Sequence, residues 1–144
     1  MTTQMLCLIG CVKQKQKLAA PAKELYTSTL FRSARAYAEG RATKWFILSA
    51  KHCLLSPETV IDPYELTLKD LAKPERLEWA KRVLKELVPH LRDTKEVEII
   101  AGVDYREHLV GLLKEQGIEV SEPLARYGLG MQISWLREHT SPKK

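Results

Sequence analysis

Short apolar segments alternate along this chain with segments of helical periodicity, and this alternation restricts the fold more than any other feature. The apolar runs at residues 5–9, 45–48, 97–101 and 118–120 have the composition of buried strands. Strands that alternate with helices form mostly parallel sheets with right-handed crossovers. We therefore predict a single α/β domain of three layers, with a mostly parallel sheet of four to five strands and helices on both faces.

Two of the intervening segments carry clear helix signals. Ser28 is a candidate N-cap for a helix that ends at Gly40. Pro74 marks the first turn of a second helix, which ends before Pro89. Apolar positions recur at three- and four-residue steps in both segments, so each helix is expected to bury one face.

The last third of the chain is expected to contain two more helices. One starts at Asp104, with Glu107 three positions on as in a capping box, and ends at Gly117. Residues 130–137 form the final helix. Residues 141–144 are expected to be a flexible tail.

Length and composition favour one ordinary globular domain. The chain has 144 residues, of which 44% are hydrophobic and 28% are charged, so we expect a single domain over residues 1–140. No apolar run is long enough to span a membrane, and no signal-peptide pattern follows Met1. We therefore expect a soluble, cytoplasmic protein without a membrane partner. A monomer is favoured, although the sequence does not determine the oligomeric state.

The charge and the cysteines bear on partners and cofactors. A formal net charge of +5 favours polyanionic partners, DNA above all. The three cysteines are an odd number without a disulfide framework, which indicates reduced thiols. Cys7, Cys11, His52 and Cys53 are conceivable zinc ligands, but their spacing is not that of structural zinc sites. We predict no metal and, because no nucleotide-cofactor fingerprint is present, no cofactor.

Polar residues follow three of the predicted strands directly, at residues 10–13, 49–52 and 102–106. The carboxyl ends of parallel strands meet at one edge of a sheet, which is where ligands bind in such folds. These segments are therefore expected to form one cleft. The alternative is that they are simply polar because loops are polar.

The long connection at residues 50–73 contains the sequence Asp62-Pro63-Tyr64. The proline restricts the backbone of Asp62 to extended conformations, so its carboxylate is expected to be held rigidly near Lys51 and His52. In the alternative interpretation, Asp62 only begins a turn and Tyr64 packs on the core.

Lysines and aromatic residues near the predicted loops suit nucleic-acid contacts. Lysine side chains can bind phosphates without reading sequence, and aromatic rings can stack on bases. Each of these residues also has a plainer interpretation, as a solvated lysine or a packed ring. The lysines are Lys13, Lys15, Lys17 and Lys23, and the aromatic residues are Tyr26, Tyr64, Tyr105, Tyr127 and Trp135.

The chain resembles the YaaA-like group of small bacterial proteins at residues 11–15, 21–28, 30–31, 48–52, 54–55 and 61–64. The resemblance extends through residues 101–102, 105, 123–124 and 130 to 135–136. Where such proteins usually carry a glycine after the aromatic residue or histidine, this chain has Cys53. The resemblance implies roles in DNA binding during oxidative stress, and some members act as DNA glycosylases on modified pyrimidines. Asp-Pro-Tyr also resembles the water-activating motif of uracil-DNA glycosylases, whose partner motif His-Pro-Ser is missing here.

The resulting hypothesis is a DNA glycosylase that removes a modified pyrimidine, for example 5-hydroxymethyluracil, after flipping it out of the stack. Asp62 is the expected catalytic carboxylate, with Asp104 as the second candidate, and Lys51 would stabilise the leaving base. The base-binding residues are expected to be Ser49, His52, Tyr64, Tyr105 and Cys11. The expected contacts to the DNA backbone are Lys13, Lys15, Lys17, Lys23 and Arg106.

Two alternatives remain open. The first is a non-catalytic module that binds DNA or a nucleotide-like ligand without breaking a bond, and it explains the charge and the strand-end clusters equally well. The other alternative is a redox or transfer enzyme centred on Cys11, with Lys13 stabilising its thiolate and Cys53 as a partner thiol.

Overall fold

The computed structural model describes residues 4–10 and 15–140. The elements in chain order are β1 (Gln4–Gly10), β2 (Ala20–Pro21), α1 (Ala22–Leu25), α2 (Thr29–Arg41), β3 (Lys44–Ser49), β4 (Cys53–Leu55), β5 (Val60–Ile61), α3 (Lys73–Leu87), β6 (Thr94–Ile100), α4 (Val103–Arg106), α5 (Leu109–Glu115), β7 (Glu119–Ser121) and α6 (Leu129–His139). Two short 3-10 helices, Leu68–Asp70 and Val88–His90, lie on either side of α3.

The main sheet has five strands in the order β4-β3-β1-β6-β7. Strands β3, β1, β6 and β7 are parallel, and β4 pairs antiparallel with β3 at one edge. This confirms the predicted mostly parallel sheet. The chain moves from β1 to one neighbour, β3, and later returns to the other neighbour, β6. The strand order therefore reverses between β1 and β6, the position at which ligands bind in open α/β sheets.

Alternate residues of β1 enter two separate cores, one on each face of the sheet. Leu6 and Leu8 pack in a core with residues of α3 and α5. Cys7 and Ile9 pack in the other core, with residues of α2 and α6. The period of two follows from the pleat of a strand. Helices therefore cover both faces, as predicted, and the domain has three layers.

The helix signals near Ser28 and Pro74 are confirmed. The Ser28 Oγ accepts a hydrogen bond from the Phe31 backbone N–H at 3.1 Å, which caps α2. This helix continues past Gly40 to Arg41. Pro74 lies in the first turn of α3, where its missing N–H has no helical partner to lose.

The capping box predicted at Asp104 is wrong. The N-cap is Gly102, and α4 already begins at Val103 without a side-chain cap. The Glu107 carboxylate instead forms an ion pair with the Arg76 guanidinium of α3 at 2.9 Å. The predicted single helix is divided into α4 and α5. The last helix, α6, is longer than the predicted 130–137, and the tail predicted at residues 141–144 lies outside the described residues.

The connection at residues 50–73 contains more regular structure than its sequence indicates. Strand β4 extends the main sheet, and β5 pairs antiparallel with β2, with Ala20 opposite Ile61. These strands have only two or three residues, so no periodic pattern can identify them. Within the described part of the chain, no helix is long and apolar enough to cross a membrane.

Candidate functional site

The carboxyl ends of β1, β3 and β6 lie side by side, as the sequence predicts. Gly10 pairs with Leu48 of β3, and Ile9 pairs with Ile100 of β6. The segments that follow Ser49 and Ile100 therefore leave the same edge of the sheet. Cys11 and Lys13, predicted to contribute from the segment after β1, lie outside the described residues.

A crevice opens at this edge, at the point where the strand order reverses. Its volume is about 210 Å³, smaller than the roughly 300 to 1,000 Å³ of pockets for drug-sized ligands. It therefore suits a compact ligand, or one part of a larger ligand. Its walls are largely apolar. It is lined by Ile9, Gly10, Leu30, Phe31, Ala34, Ile100, Ala101, Gly102, Tyr105, Leu124 and Gln132.

Close packing of the strand ends determines the floor of the crevice. A Cβ atom at Gly10 would lie 2.7 Å from the Ala101 Cβ, so a side chain at residue 10 would require β1 and β6 to separate. Gly102 differs, because a Cβ atom there would meet no atom within 4 Å. The crevice is therefore closed below Gly10 and open at Gly102.

Tyr105 forms part of the wall and is held by Trp79 of α3. The two rings are edge-on, with centroids 5.5 Å apart and an interplanar angle of 83°. The Trp79 indole Nε1 in turn donates a hydrogen bond to the Ser49 carbonyl oxygen at 2.9 Å. This series of contacts links the crevice to the end of β3.

Three buried hydroxyl groups lie next to each other at the end of β3. The Tyr64 hydroxyl is 2.7 Å from the Ser49 Oγ and 2.5 Å from the Tyr26 hydroxyl. The Ser49 Oγ also accepts a hydrogen bond from the His52 backbone N–H at 3.0 Å. Ser49 has an exposed fraction of 0%, and Tyr64 is packed in the core shared with α2. Direct contact of these two side chains with a base would require the surrounding segments to move.

Two lysines approach the ring of Tyr64. The ammonium Nζ of Lys15 lies 4.6 Å from the ring centroid, and that of Lys51 lies 5.9 Å from it. The Lys15 Nζ is also 5.8 Å from the ring centroid of Tyr26. The hydroxyl cluster therefore carries two positive charges on its outer side, next to the carboxyl ends of the strands.

His52 lies edge-on to Tyr64, with ring centroids 5.4 Å apart. Its Nε2 is buried and has no hydrogen-bond partner among the described residues. Desolvation of the ring and the nearby Lys51 ammonium together lower the pKa of His52 below its ordinary value of 6.5. The imidazole is therefore neutral at pH 7, with one polar ring atom unsatisfied.

Cys53 adopts a left-handed backbone conformation, with φ of 61°, unlike any other non-glycine residue of the described ranges. Glycine takes this conformation without steric strain, whereas a residue with a Cβ atom rarely adopts it. Burial and the Glu86 carboxylate raise the pKa of the Cys53 thiol. The side chain at this left-handed position is therefore an uncharged, packed thiol at neutral pH.

The thiols do not support a metal site in the described part of the chain. Cys7 and Cys53 belong to cores on opposite faces of the sheet, so they cannot bind one ion together. Residues 4–10 and 15–140 contain no group of three or more His, Cys, Asp or Glu residues placed to hold a metal. The hypothesis of a Cys11-centred enzyme stays a prediction, because Cys11 lies outside those ranges.

The two candidate carboxylates lie in different segments of the chain, Asp62 after β5 and Asp104 in α4. Asp62 is exposed directly after β5, and its carboxylate has no hydrogen bond or ion pair with the described residues. Asp104 is half-buried in the first turn of α4, next to Tyr105. Asp62 is therefore two residues before Tyr64 of the hydroxyl cluster, and Asp104 is one residue before Tyr105 of the crevice wall.

The expected contacts to the DNA backbone fall into two groups. Arg106 donates to the Ala101 carbonyl oxygen at 2.9 Å and pairs with Glu122 at 2.7 Å, so it fastens the loop after β6. Lys23 pairs with Glu58 at 3.0 Å. Lys15 approaches the rings of Tyr26 and Tyr64, and Lys17 is exposed on the same segment before β2.

One lining residue of the crevice has no signal in the sequence. Gln132 lies in α6, and its side-chain Nε2 donates to the Tyr127 carbonyl oxygen at 2.9 Å and to that of Leu124 at 3.4 Å. Its place at the crevice depends on the packing of α6 against α2. No local motif indicates that packing, so sequence reasoning missed it.

Comparisons with known proteins give a family and a relative. The family described as "Family of unknown function (DUF6884)" matches residues 6–138. The "Uncharacterized protein YfjM" of Bacillus subtilis (strain 168) is 30% identical over 148 residues, which cover 96% of this chain and 96% of that protein. No solved structure matches this chain.

Proposed function

Since the chain belongs to the DUF6884 family, whose function is unknown, we propose from its site that it binds a nucleobase-containing ligand and holds the base in the crevice beyond β1 and β6. The observation that carries this proposal is the crevice itself. It is compact, largely apolar, walled by Phe31 and Tyr105, and located where the strand order reverses.

A base suits this crevice because the faces of a base are apolar, whereas its edges carry hydrogen-bonding groups. The faces of a base are apolar and stack on aromatic side chains, which contributes about 1–3 kcal/mol for each base. Its edges need hydrogen bonds, and backbone groups at Gly10 and Gly102 together with the Gln132 amide line the crevice. The absence of a side chain at Gly102, where the crevice is open, allows a planar ring to approach the backbone.

The positive charges near Tyr64, beyond the end of β3, suit the phosphates of the same ligand. Lys15 and Lys51 present their ammonium groups over Tyr64, and Lys17 is exposed nearby in sequence. Lysines that contact phosphates release counterions on binding, so affinity falls as salt is added. DNA is the ligand that we propose, in agreement with the net charge of +5. We place this binding in the cytoplasm, a location supported by the free, buried thiols of Cys7 and Cys53.

A substitution at Gly102 tests the proposal with little risk to folding. The φ of Gly102 is −66°, which any residue can adopt, and a new side chain would enter the mouth of the crevice. Gly102→Leu should weaken binding of labelled oligonucleotides and of deoxynucleoside monophosphates at least tenfold. The matched control is Gly111→Leu, because Gly111 is exposed in α5 with equally open space.

Fluorescence anisotropy at low and moderate salt measures oligonucleotide affinity, and calorimetry measures monophosphate affinity. Melting temperatures of both variants show whether folding is intact. Equal affinity of Gly102→Leu and the wild-type protein would contradict the proposal. So would failure of the wild-type protein to bind any single-stranded, double-stranded or mononucleotide probe.

Base excision is a second candidate, favoured by the position of Asp62. Its carboxylate is exposed, and its backbone lies between Ile61, which pairs in β5, and the buried Tyr64, directly before Pro63. In the reaction, the C1′–N bond breaks and its electron pair leaves with the base. Water then adds to C1′ of the oxocarbenium-like sugar and gives its proton to the carboxylate. Lys51 would stabilise the negative charge on the departing base.

Duplexes that contain modified pyrimidines, 5-hydroxymethyluracil among them, test this candidate. The wild-type protein should create alkali-labile abasic sites, and Asp62→Asn should abolish them while oligonucleotide affinity is retained. The same assay on Asp104→Asn shows whether Asp104, rather than Asp62, is the carboxylate that excision requires. If the protein binds all of these duplexes tightly but creates abasic sites in none of them, it does not excise these bases and acts as a binding module.

A further inference from the structure

Two polar side chains, those of Tyr105 and Gln132, line the crevice, and no charged residue lines it within the described ranges. A few polar groups in an otherwise apolar pocket orient a ligand and determine which ligands are accepted. A charged ring would lose its hydration in the crevice without gaining an opposite charge. The crevice therefore favours a neutral ring, whose polar edge must match these side chains.

The amide nitrogen of Gln132 is already engaged by the protein backbone. Its Nε2 donates to the Tyr127 carbonyl oxygen at 2.9 Å and to the Leu124 carbonyl oxygen at 3.4 Å. A primary amide has two N–H donors, so both are directed at backbone acceptors. Rotating the amide by half a turn would place its oxygen against the same two carbonyl oxygens, and this contact between acceptors is repulsive. The turn before α6 therefore determines how the amide is oriented.

The turn that holds the amide is itself closed by hydrogen bonds. The Tyr127 backbone N–H donates to the Leu124 carbonyl oxygen at 3.1 Å, and the Gln132 backbone N–H donates to the Gly128 carbonyl oxygen at 2.9 Å. The Leu124 side chain is buried and lines the same crevice, so the turn is anchored in the core. The Gln132 amide is therefore preorganised, and a ligand has little side-chain freedom to remove from it.

The amide oxygen of Gln132 is the group that remains for a ligand. It forms no hydrogen bond with the described residues. It is not buried either, since the buried side-chain atoms without a hydrogen-bond partner in the described ranges belong to His52, Arg76 and His108. An amide oxygen accepts hydrogen bonds and cannot donate them. The crevice therefore offers an accessible acceptor next to its apolar walls.

We infer that the Gln132 Oε1 accepts a hydrogen bond from an N–H group on the edge of the bound base, and that the crevice selects bases by this donor. The inference rests on the proposed binding of a base in the crevice and adds the atom that reads the base. An exocyclic amino group supplies such a donor in adenine and cytosine, and the ring imide supplies it in uracil and thymine. A base without the donor leaves the oxygen unpaired once water is displaced, and this lowers affinity.

Three matched pairs of deoxynucleoside monophosphates test the inference. The bases of the pairs are adenine and purine, cytosine and pyrimidin-2-one, and thymine and N3-methylthymine. The first two pairs differ by an amino group, and the third differs at the imide N–H. Calorimetry should show that the wild-type protein binds the donor-bearing member of at least one pair about tenfold more tightly than the other member.

Substitutions at Gln132 show whether its oxygen causes this preference. Gln132→Glu keeps an acceptor and should keep the preference. Gln132→Lys keeps donors for the carbonyl oxygens of Leu124 and Tyr127 but has no acceptor, so the two members of the pair should bind with affinities within about twofold of each other. A new charge acts equally on both members, because both carry the same phosphate. Gln116→Lys is the matched control, since Gln116 is exposed at the end of α5.

Melting temperatures show whether each variant is folded, and Gln132→Leu, which also lacks an acceptor, replaces Gln132→Lys if the lysine variant is not. Equal affinities within all three pairs for the wild-type protein would overturn the role of the Gln132 oxygen. So would a preference that survives in Gln132→Lys or is lost in Gln132→Glu. In each of these cases, weaker binding by Gly102→Leu would still support the crevice as the site of the base. Failure of the wild-type protein to bind any of the monophosphates would overturn both the inference and the proposed function.

Discussion

The Tyr37 hydroxyl of α2 donates to the Glu98 carboxylate of β6, and its oxygen lies 2.8 and 2.9 Å from the two carboxylate oxygens. The Arg41 Nε also donates to this carboxylate, at 2.9 Å. Glu98 is buried in the middle of the sheet, opposite Cys7 of β1. A buried carboxylate is costly unless such partners satisfy it. This cluster therefore joins the α2 layer to the central strands, on the face opposite α3.

We expect Tyr37→Phe to lower the free energy of unfolding by about 2 kcal/mol, because it removes a hydrogen bond to a buried charge. Urea unfolding followed by circular dichroism measures the change. Tyr127→Phe is the matched control, since that ring is exposed and its loss of a hydroxyl should change stability by less than about 0.5 kcal/mol. Equal changes in the free energy of unfolding for the two substitutions would show that the Tyr37 hydroxyl does not stabilise the buried Glu98 carboxylate.

We expect Lys51→Gln to raise the pKa of His52 partway towards 6.5. Desolvation, the larger cause of the lowered pKa, remains in the variant, and only the repulsion from the ammonium group is removed. The NMR titration of the imidazole protons measures the midpoint. Lys81→Gln, an exposed lysine of α3, is the control. A midpoint that does not move in Lys51→Gln would contradict the assigned cause.

The same pKa shift makes stability depend on pH. A histidine whose pKa is lowered by folding binds a proton more readily when the chain is unfolded. Its contribution to stability is therefore complete above pH 6.5 and decreases as the pH falls through and below that value. Unfolding free energies between pH 7.5 and 5 should show a smaller decrease for His52→Gln than for the wild-type protein.

We expect Cys53→Gly to be more stable than Cys53→Ala by about 1 kcal/mol. Both substitutions remove the buried sulfur, so the difference between them isolates the strain of a φ of 61°. At an ordinary helical or extended position the order would be reversed, because glycine has the larger conformational entropy when unfolded. Thermal unfolding of the two variants makes the comparison, and an alanine variant at least as stable as the glycine variant would refute it.

We expect Cys7 and Cys53 to resist alkylation by iodoacetamide at pH 8 while the protein is folded. Both thiols are buried, and burial raises the pKa of each, so little thiolate is present to react. Peptide mass spectrometry measures modification at each cysteine over time. The denatured protein, in which both sites should react quickly, is the control. Fast labelling of either thiol in the native state would contradict its buried position.

The sheet could be predicted because its central strands are buried on both faces and are therefore nearly continuous apolar runs, such as residues 5–9. The convergence of the segments after Ser49 and Ile100 follows from parallel strands alone. The remaining contacts around the site do not follow from the strand pattern. Gln132 reaches the crevice through the packing of α6 on α2, and Ala20 pairs with Ile61 across a long separation in sequence. Neither relationship has a local pattern that could reveal it.

The predicted helix start at Asp104 shows the limit of local signals. Asp104 and Glu107 have the spacing of a capping box, but Arg76 of α3 lies close enough to pair with Glu107. The Glu107 carboxylate therefore forms an ion pair with Arg76 of a distant segment instead of the predicted cap at Asp104. The left-handed backbone of Cys53, with φ of 61°, is a second feature that no local pattern of the sequence predicted.

The contact between Gly10 and Ala101 has a thermodynamic consequence for any ligand of the crevice. Because the two strand ends are already pressed together, with no room for a Cβ atom, this floor is preorganised in the free protein. Binding of a ligand from the Gly102 side therefore costs little conformational entropy of the backbone at the floor of the crevice. Shape selectivity should be high there, since a substituent pointing towards β1 and β6 cannot be accommodated by sliding the strands apart.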